Sequence, residues 1–249
     1  MPDESELDQL RDRLYAAYAT THSGVPDHAS QAPGFKRDVE PYLPEDRRAH
    51  ILDLGCGQGH YVWQLLALGY EHTRGIDVSP EQVQTAQAAG LTQVGLGDYR
   101  DGLGVAALDV VIATDFLEHL NRFEGVQALD SIKRSLRPGG TLILRIPNAA
   151  SPFSGTLRYG DLTHETSFTP QSLRQLGAAT GFSTIEIHAC PPPIHGVASG
   201  VRAAAWWAVS AVIKAALIAE TGQVHGHVVT QNMVAVMRLD GDKGAAGGA

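Results

Sequence analysis

A glycine-rich turn is the first part of the sequence that could support chemistry. Residues 53–59 read DLGCGQG; they follow the apolar run ILDL and precede a run with helical spacing, HYVWQLLAL. Glycines at such a turn adopt dihedral angles closed to other residues and let a ligand approach the backbone. A dinucleotide site would have the spacing GxGxxG, but His60 stands where its third glycine would fall. The turn therefore predicts a ligand site and disfavours an NAD-dependent oxidoreductase.

A second candidate site combines carboxylates with histidines. Asp115, Glu118 and His119 stand at positions i, i+3 and i+4, which a helical turn would place on one face. The later segment RYGDLTHE adds Asp161 and His164. Asp115, Glu118, His119 and His164 could hold one divalent cation, and carboxylates favour Mg²⁺ or Mn²⁺. Without a metal, His119 or His164 would be the general base, because imidazole titrates near neutral pH.

Aromatic side chains with polar neighbours indicate where an acceptor could bind. Aromatic platforms beside hydrogen-bonding groups suit sugar rings, whose faces are apolar and whose rims are polar. Both tryptophans could instead pack in the core or against a second copy of the chain. The set consists of Asn148, Arg158, Tyr159, Asp161, Phe168, Trp206 and Trp207.

The elements that must position these residues alternate between strand-length and helix-length runs from residue 50 onward. This alternation is typical of βαβ units and a buried parallel sheet. We expect one α/β domain over residues 49–240, with acceptor-site insertions at about 147–169 and 191–222. A helical leader (1–48) would precede it, and a disordered Gly/Ala-rich tail (241–249) would follow.

Composition limits the partners and the compartment. The net charge of −8 provides no broad basic surface, so nucleic acid is not expected as a partner. The N-terminus lacks a secretory pattern and the two cysteines lack disulfide spacing, which favours the cytoplasm. The apolar stretch 201–219 is interrupted by Arg202 and Lys214, so no stable membrane insertion is expected. It could cover the acceptor pocket, touch a membrane surface or form a homodimer.

The ordered motifs of residues 50–148 resemble those of class I S-adenosylmethionine (SAM)-dependent methyltransferases. DLGCGQG resembles the family's first motif, Asp77 its ribose-binding acid and Asp98 its adenine-facing acid. The segments LDVVIATDFLEHL and LRPGGTLILRIPN resemble its fourth and fifth strands. The resemblance implies a Rossmann-like, seven-stranded, mostly parallel sheet with helices on both faces and an antiparallel last strand at 228–239. It implies that SAM contacts Asp53, Gly55, Cys56, Gly57, Gly59, Asp77, Val78, Asp98, Tyr99 and Thr114.

Nearer resemblances concern the acceptor. The segment around Glu118 and His119 with a later histidine resembles metal-dependent small-RNA and ubiquinone-pathway O-methyltransferases, with Asp115 replacing a glutamate. The segment DLTHETSFTPQSL resembles bacterial sugar and polysaccharide O-methyltransferases, such as those of mycobacterial methylmannose polysaccharide. These imply O-methylation of a carbohydrate hydroxyl, with His119, His164 and Asp161 as catalytic residues and Mg²⁺ as a metal. A small-molecule phenol, quinone or amine acceptor without metal, and a non-catalytic SAM-binding regulator, remain as alternatives.

Overall fold

The computed structural model describes residues 13–14 and 27–241, and a seven-stranded sheet lies at the centre of this part of the chain. In space the strands follow the order β3-β2-β1-β4-β5-β7-β6. The first five pair in parallel, whereas β7 is antiparallel to both of its neighbours. This confirms the predicted fold class. The strands are β1 (Ile51–Leu54), β2 (Thr73–Asp77), β3 (Val94–Leu96), β4 (Leu108–Thr114), β5 (Leu136–Pro147), β6 (Thr184–Ala189) and β7 (Asn232–Arg238).

Helices cover both faces of the sheet, and several begin at a side-chain cap. Asn121 and Glu124 form a capping box at the start of α4, and Thr169 caps α6. Ser79 caps α3, which has Pro80 at its first position, where a missing N–H costs nothing. The helices are α1 (Ala32–Asp38), α2 (His60–Ala67), α3 (Pro80–Ala88), α4 (Arg122–Ser135), α5 (Gly155–Gly160), α6 (Pro170–Ala179) and α7 (Val197–Thr221).

The core lies on both sides of the sheet because successive strand residues point to opposite faces. Leu52 of β1 packs with Leu129 of α4 on one face, and Ile51 packs with Phe35 of α1 and Leu65 of α2 on the other. A strand buried on both faces needs nearly continuous apolar sequence, as in β1 and β4. Because β1, β2 and β4 run parallel, their carboxyl ends lie together at one end of the sheet, where sheets of this type bind ligands.

Several segments differ from the sequence-based expectation. Strand β7 begins at Asn232, not at residue 228. Before it, the hydroxyl of Thr230 accepts from the N–H of Cys190 and donates to the carbonyl of Asn232. The expected insertion at about 147–169 contains the short helix α5, whereas α7 lies in the insertion at about 191–222, where the sequence indicated an apolar helix. Of the predicted leader, residues 27–48 contain α1 and a 3₁₀ turn at Glu40–Tyr42. Its other residues, apart from 13–14, and the predicted tail beyond Gly241 lie outside the described residues.

Candidate functional site

The glycine turn after β1 has a backbone that other residues would strain. Gly55, Gly57 and Gly59 have φ values of 72°, 51° and 77°, in the left-handed region. A Cβ atom on Gly59 would lie 2.6 Å from Cδ1 of Leu91. The turn is tied to β2 by the N–H groups of Gly55 and Cys56, which both donate to the carbonyl of Ile76. The positive φ values and the close contact of Gly59 explain why glycines stand at these positions. The hydrogen bonds to Ile76 place the turn at the carboxyl ends of β1 and β2.

A cavity of about 380 Å³ opens beside this turn. It is called the donor cavity below, because residues expected to contact the methyl donor SAM line it. Its size is within the range of small-molecule sites. Eight of the ten residues expected to contact SAM line it: Gly55, Cys56, Gly57, Asp77, Val78, Asp98, Tyr99 and Thr114. Other lining side chains were not predicted, among them His60 at the start of α2, Gln82 on α3 and Phe116 after β4. His60 and Phe116 could have been found as the residues that directly follow the turn and the strand end, whereas Gln82 carries no local signal.

Two predicted donor residues, Asp53 and Gly59, do not line this cavity. Gly59 packs towards Leu91, so its role here is to permit close packing of the helix that follows. Asp53 is buried within β1, only 2% exposed, and its Oδ1 has no hydrogen-bond partner among the described residues. Burial, and to a lesser extent the nearby Asp77 carboxylate, raises the pKa of Asp53 to about 7. Asp53 therefore lies beneath the site.

Asp77 and Asp98 present carboxylates to the cavity in different states. Asp77 accepts hydrogen bonds from the N–H groups of Gly57 and Ser79, both at 2.8 Å. Burial raises the pKa of Asp77, and these backbone donors oppose the increase. Asp98 caps the 3₁₀ turn Tyr99–Asp101 and forms an ion pair with Arg100 at 2.6 Å. Asp77 is thus held rigidly at the end of β2, while the carboxylate of Asp98 is already neutralised by a cation.

Glu118, His119 and His164 form a compact cluster beside the cavity. Each offers one ligand atom, and these atoms all lie within 4.8 Å of one another. The two imidazole rings meet edge to face, with centroids 4.7 Å apart. His119 also lines the donor cavity, whereas Glu118 and His164 lie behind it. The cluster therefore reaches the donor site through His119.

Hydrogen bonds determine which nitrogen carries the proton in each ring. Thr163 donates its hydroxyl to Asp161 at 2.6 Å and must therefore accept from Nδ1–H of His119 at 2.8 Å. The Nδ1–H of His164 donates to the carbonyl of Leu157 at 2.8 Å. In the neutral tautomer that these bonds favour, Nε2 is the nitrogen without a proton in each ring. Burial, and next the neighbouring His164, lowers the pKa of His119 to about 4, so this ring is neutral at pH 7.

Glu118 is a buried carboxylate whose two side-chain oxygens have no hydrogen-bond partner in the described part of the chain. Its backbone carbonyl accepts from the N–H groups of Glu165 and Thr166, which fixes the loop that carries His164. Burial, and secondarily Asp115, raises the pKa of Glu118 well above its usual value. An unpaired buried carboxylate is costly, so this position needs either a proton or a cation.

Asp115 is not part of this cluster, in contrast to the prediction. The local helix is a short 3₁₀ turn, Leu117–His119, and Asp115 precedes it with a φ of 49°. The three residues 115, 118 and 119 therefore do not share a helical face. The Asp115 side chain is 52% exposed and forms an ion pair with Arg145 of β5. It lines the donor cavity without joining the potential metal ligands.

A second cavity of about 440 Å³ lies at the same end of the sheet, where β5 and β6 end and β7 begins. The Asp115–Arg145 ion pair separates the two cavities, because each partner lines one of them. Arg37 and Arg145 line this second cavity, and both form ion pairs with the buried carboxylate of Asp38. The lining residues are Arg37, Arg145, Phe153, Cys190, Pro192, Trp206, Thr230, Gln231 and Asn232.

The predicted acceptor residues are distributed between this cavity, the core and the surface. Trp206 lines the cavity and contacts Phe153, with ring centroids 6.0 Å apart. Phe168 instead packs in the core, and Tyr159 and Trp207 are 78% and 76% exposed. Two more stabilise loops, because Asn148 donates to the carbonyls of Val228 and Thr230 and Arg158 donates to that of His164. Their side chains therefore do not form one aromatic platform.

Comparison with known proteins identifies the family. A family model described as a methyltransferase domain matches residues 28–187, which include the glycine turn and the histidine cluster. The chain belongs to the SAM-dependent methyltransferase family. A SAM-dependent methyltransferase from Archaeoglobus fulgidus has a similar fold, with a TM-score of 0.63 and 17% identity over 90% of this chain and 99% of that chain.

Two curated relatives of this methyltransferase carry different activity names. It is 35% identical over 116 residues to the tRNA U34 carboxymethyltransferase of Cellvibrio japonicus, and this match covers 43% of the chain and 35% of that protein. It is 29% identical over 162 residues to the O-methyltransferase cnsE of Penicillium expansum, covering 61% and 58%. The chain thus spans less than two thirds of either relative's length. Neither name specifies a sugar as the acceptor.

Proposed function

We propose that this methyltransferase transfers the methyl group of SAM to a hydroxyl group. The observation that carries the proposal is the hydrogen-bonded series His119–Thr163–Asp161, with His119 at the wall of the donor cavity. A hydroxyl is a weak nucleophile and benefits from a base within hydrogen-bond reach. Nε2 of His119 is the nitrogen that would accept its proton, and Asp161 would stabilise the resulting imidazolium through Thr163.

The donor cavity would hold SAM through the glycine turn and Asp77. The N–H of Gly57 already donates to Asp77, so a ligand on this carboxylate would be held close to the turn. A carboxylate suits a pair of ribose hydroxyls because it accepts at two oxygens. When bound, SAM supplies a methyl group on a sulfonium that is a good leaving group. The chain then has to align the acceptor oxygen with the methyl carbon.

Mg²⁺ is part of this proposal, with Glu118, His119 and His164 as its ligands. With the ion bound, Nε2 of His119 would be a ligand, so the base role of His119 belongs to the metal-free site. Glu118 has two side-chain oxygens without hydrogen-bond partners among the described residues. These oxygens and Nε2 of a neutral His164 ring fit a divalent cation. When bound, such an ion lowers the pKa of a coordinated hydroxyl. It would also offset the cost of ionising Glu118 in a buried position. Asp115 is excluded from this ligand set because Arg145 pairs with it.

A carbohydrate hydroxyl is the acceptor that we propose. The second cavity combines the aromatic faces of Trp206 and Phe153 with amide and hydroxyl groups of Thr230, Gln231 and Asn232. Such a wall suits a ring with apolar faces and a polar rim. Nucleic acid stays outside the proposal despite the tRNA-modifying relative, because the net charge of −8 disfavours binding to a phosphate backbone. We place the reaction in the cytoplasm.

The proposal is tested by transfer of labelled methyl from SAM to short neutral saccharides, phenols, amines and bulk tRNA, each with Mg²⁺ and with EDTA. We expect label on a saccharide, reduced by EDTA. The Glu118→Gln variant, which keeps the shape but removes the charge, should lose the dependence on metal and most of the activity. Glu165→Gln is the matched control, because Glu165 lies outside the ligand cluster.

The outcomes separate the parts of the proposal. Label on a saccharide that is insensitive to EDTA and to Glu118→Gln would discard the metal and keep the base. Metal-independent label on an amine or phenol would keep the donor site and discard the carbohydrate acceptor. Label on tRNA would show that local basic groups outweigh the net charge, and transfer to none of these acceptors would contradict the proposed acceptor classes.

A further inference from the structure

Helix α7 is poorly covered by the rest of the structure. It has 25 residues, and only Ser199 is buried. Val201, Trp207 and Val212 are 67%, 76% and 71% exposed. Within the described residues it is the one helix long and apolar enough to cross a membrane, and no residue of its most apolar stretch is fully buried. Water therefore faces side chains that proteins normally bury.

This helix is apolar on its outward side as well as on its inward side, unlike an ordinary surface helix. At about 100° per residue, the half-buried side chains of Trp206, Ile213 and Leu217 lie on one side, towards the protein. An uninterrupted apolar arc of roughly 200° faces outward. The two charges between Val197 and Ala219 lie at its two edges, and both are basic: Arg202 and Lys214. The arc contains Val197, Val201, Ala204, Ala205, Trp207, Ala208, Val209, Ala211, Val212, Ala215 and Ala216.

The sheet topology prevents this helix from spanning a bilayer. Ala189, the last residue of β6, pairs with Met233 near the start of β7, so the chain leaves and re-enters the sheet at the same end of the strands. A spanning helix would put residue 222 on the far side of the membrane. Residues 222–231, which contain no regular structure, would then have to return through the hydrocarbon. An unpaired backbone is not tolerated there.

We propose that α7 binds, parallel to the surface, to a membrane that contains anionic lipids. Its outward arc would enter the acyl boundary, and Arg202 and Lys214 would reach the headgroups on either side. These local charges, not the chain's net charge of −8, would face the lipid. A second copy of the chain fits less well. In a two-fold antiparallel pair centred on Ala208, basic side chains would meet at each end. The inference is independent of the proposed acceptor, although Trp206 of the same helix lines the second cavity.

Vesicle flotation with the full chain tests this proposal. We expect binding to mixed phosphatidylcholine–phosphatidylglycerol vesicles and weaker binding to pure phosphatidylcholine. Val201→Asp with Val212→Asp should weaken binding at least about tenfold, because two exposed apolar side chains of the arc become charged. Arg202→Gln with Lys214→Gln should weaken binding to the anionic vesicles roughly tenfold and leave the neutral ones unaffected. Val105→Asp is the matched control, since Val105 is 81% exposed and precedes β4 at the opposite end of the strands.

Light scattering of the chain without lipid completes the test. A monomer that floats with anionic vesicles, and loses this property only through the α7 variants, supports the proposal. Absence of flotation, or equal flotation of wild type and the Val201/Val212 variant, overturns it. A dimer that this variant converts to monomers also overturns it, because a second copy would then cover the arc. Thermal unfolding at an unchanged temperature shows that each variant is folded.

Discussion

Replacing Asp53 by asparagine should make the stability of this methyltransferase less sensitive to pH. Asp53 is buried in β1, and burial raises its pKa from 3.8 to about 7. A carboxyl group whose pKa is higher in the folded state favours folding only while it is protonated. Its contribution is therefore fully present below pH 3.8 and is lost as the pH rises through 7. Asparagine keeps the shape of the side chain and removes the titration.

The size of the effect follows from the two pKa values. Each unit of difference is worth about 1.4 kcal/mol. Between pH 5 and pH 8, the wild type should lose about 2 to 3 kcal/mol of unfolding free energy that the Asp53→Asn variant keeps. Most of this loss should occur below pH 7.5, because the folded-state carboxyl is largely ionised above that value.

Chemical denaturation at pH 5, 6, 7 and 8 measures this quantity for both proteins. Other titrating groups cancel in the difference between wild type and variant. Asp240→Asn is the control, since Asp240 is exposed near the end of the described chain and its replacement should leave the pH dependence unchanged. A difference between wild type and Asp53→Asn that stays constant from pH 5 to pH 8 would refute the argument. It would mean that Asp53 is ionised throughout, with a cationic or hydrogen-bonded partner.

Three further predictions concern the site. Gly59→Ala should lower the free energy of unfolding by about 1 to 3 kcal/mol in chemical denaturation, because of its positive φ and the contact with Leu91. Gly69→Ala has similar strain without the contact and should lose less; equal losses would contradict the packing argument. Asp77→Asn should weaken SAM binding about 10- to 100-fold by calorimetry, and unchanged affinity would remove the assignment to ribose. His164→Ala should leave SAM affinity intact and lower kcat about 100-fold or more; unchanged turnover would exclude both its base and its metal role.

The sequence by itself determined the fold class and indicated most of the residues that line the cavity beside the glycine turn. Alternating strand-length and helix-length runs are local patterns, so they predicted the parallel sheet that β1 to β5 form. The turn at residues 53–59 also carries a local signal, because its positive φ values require glycine. Asp77 and Thr114 were predictable in the same way, since they stand at the ends of strands whose carboxyl ends meet.

Only the tertiary structure decided which polar residues act together. The sequence spacing grouped Asp115 with Glu118, but a positive φ and the ion pair with Arg145 direct Asp115 elsewhere. Thr163 had no sequence signal, yet it links His119 to Asp161 because a loop distant in sequence folds back across the 3₁₀ turn. Such contacts depend on how separate elements pack, which no local pattern encodes. The outward side of α7 is a similar case, since composition shows that a helix is apolar but only packing shows which side faces water.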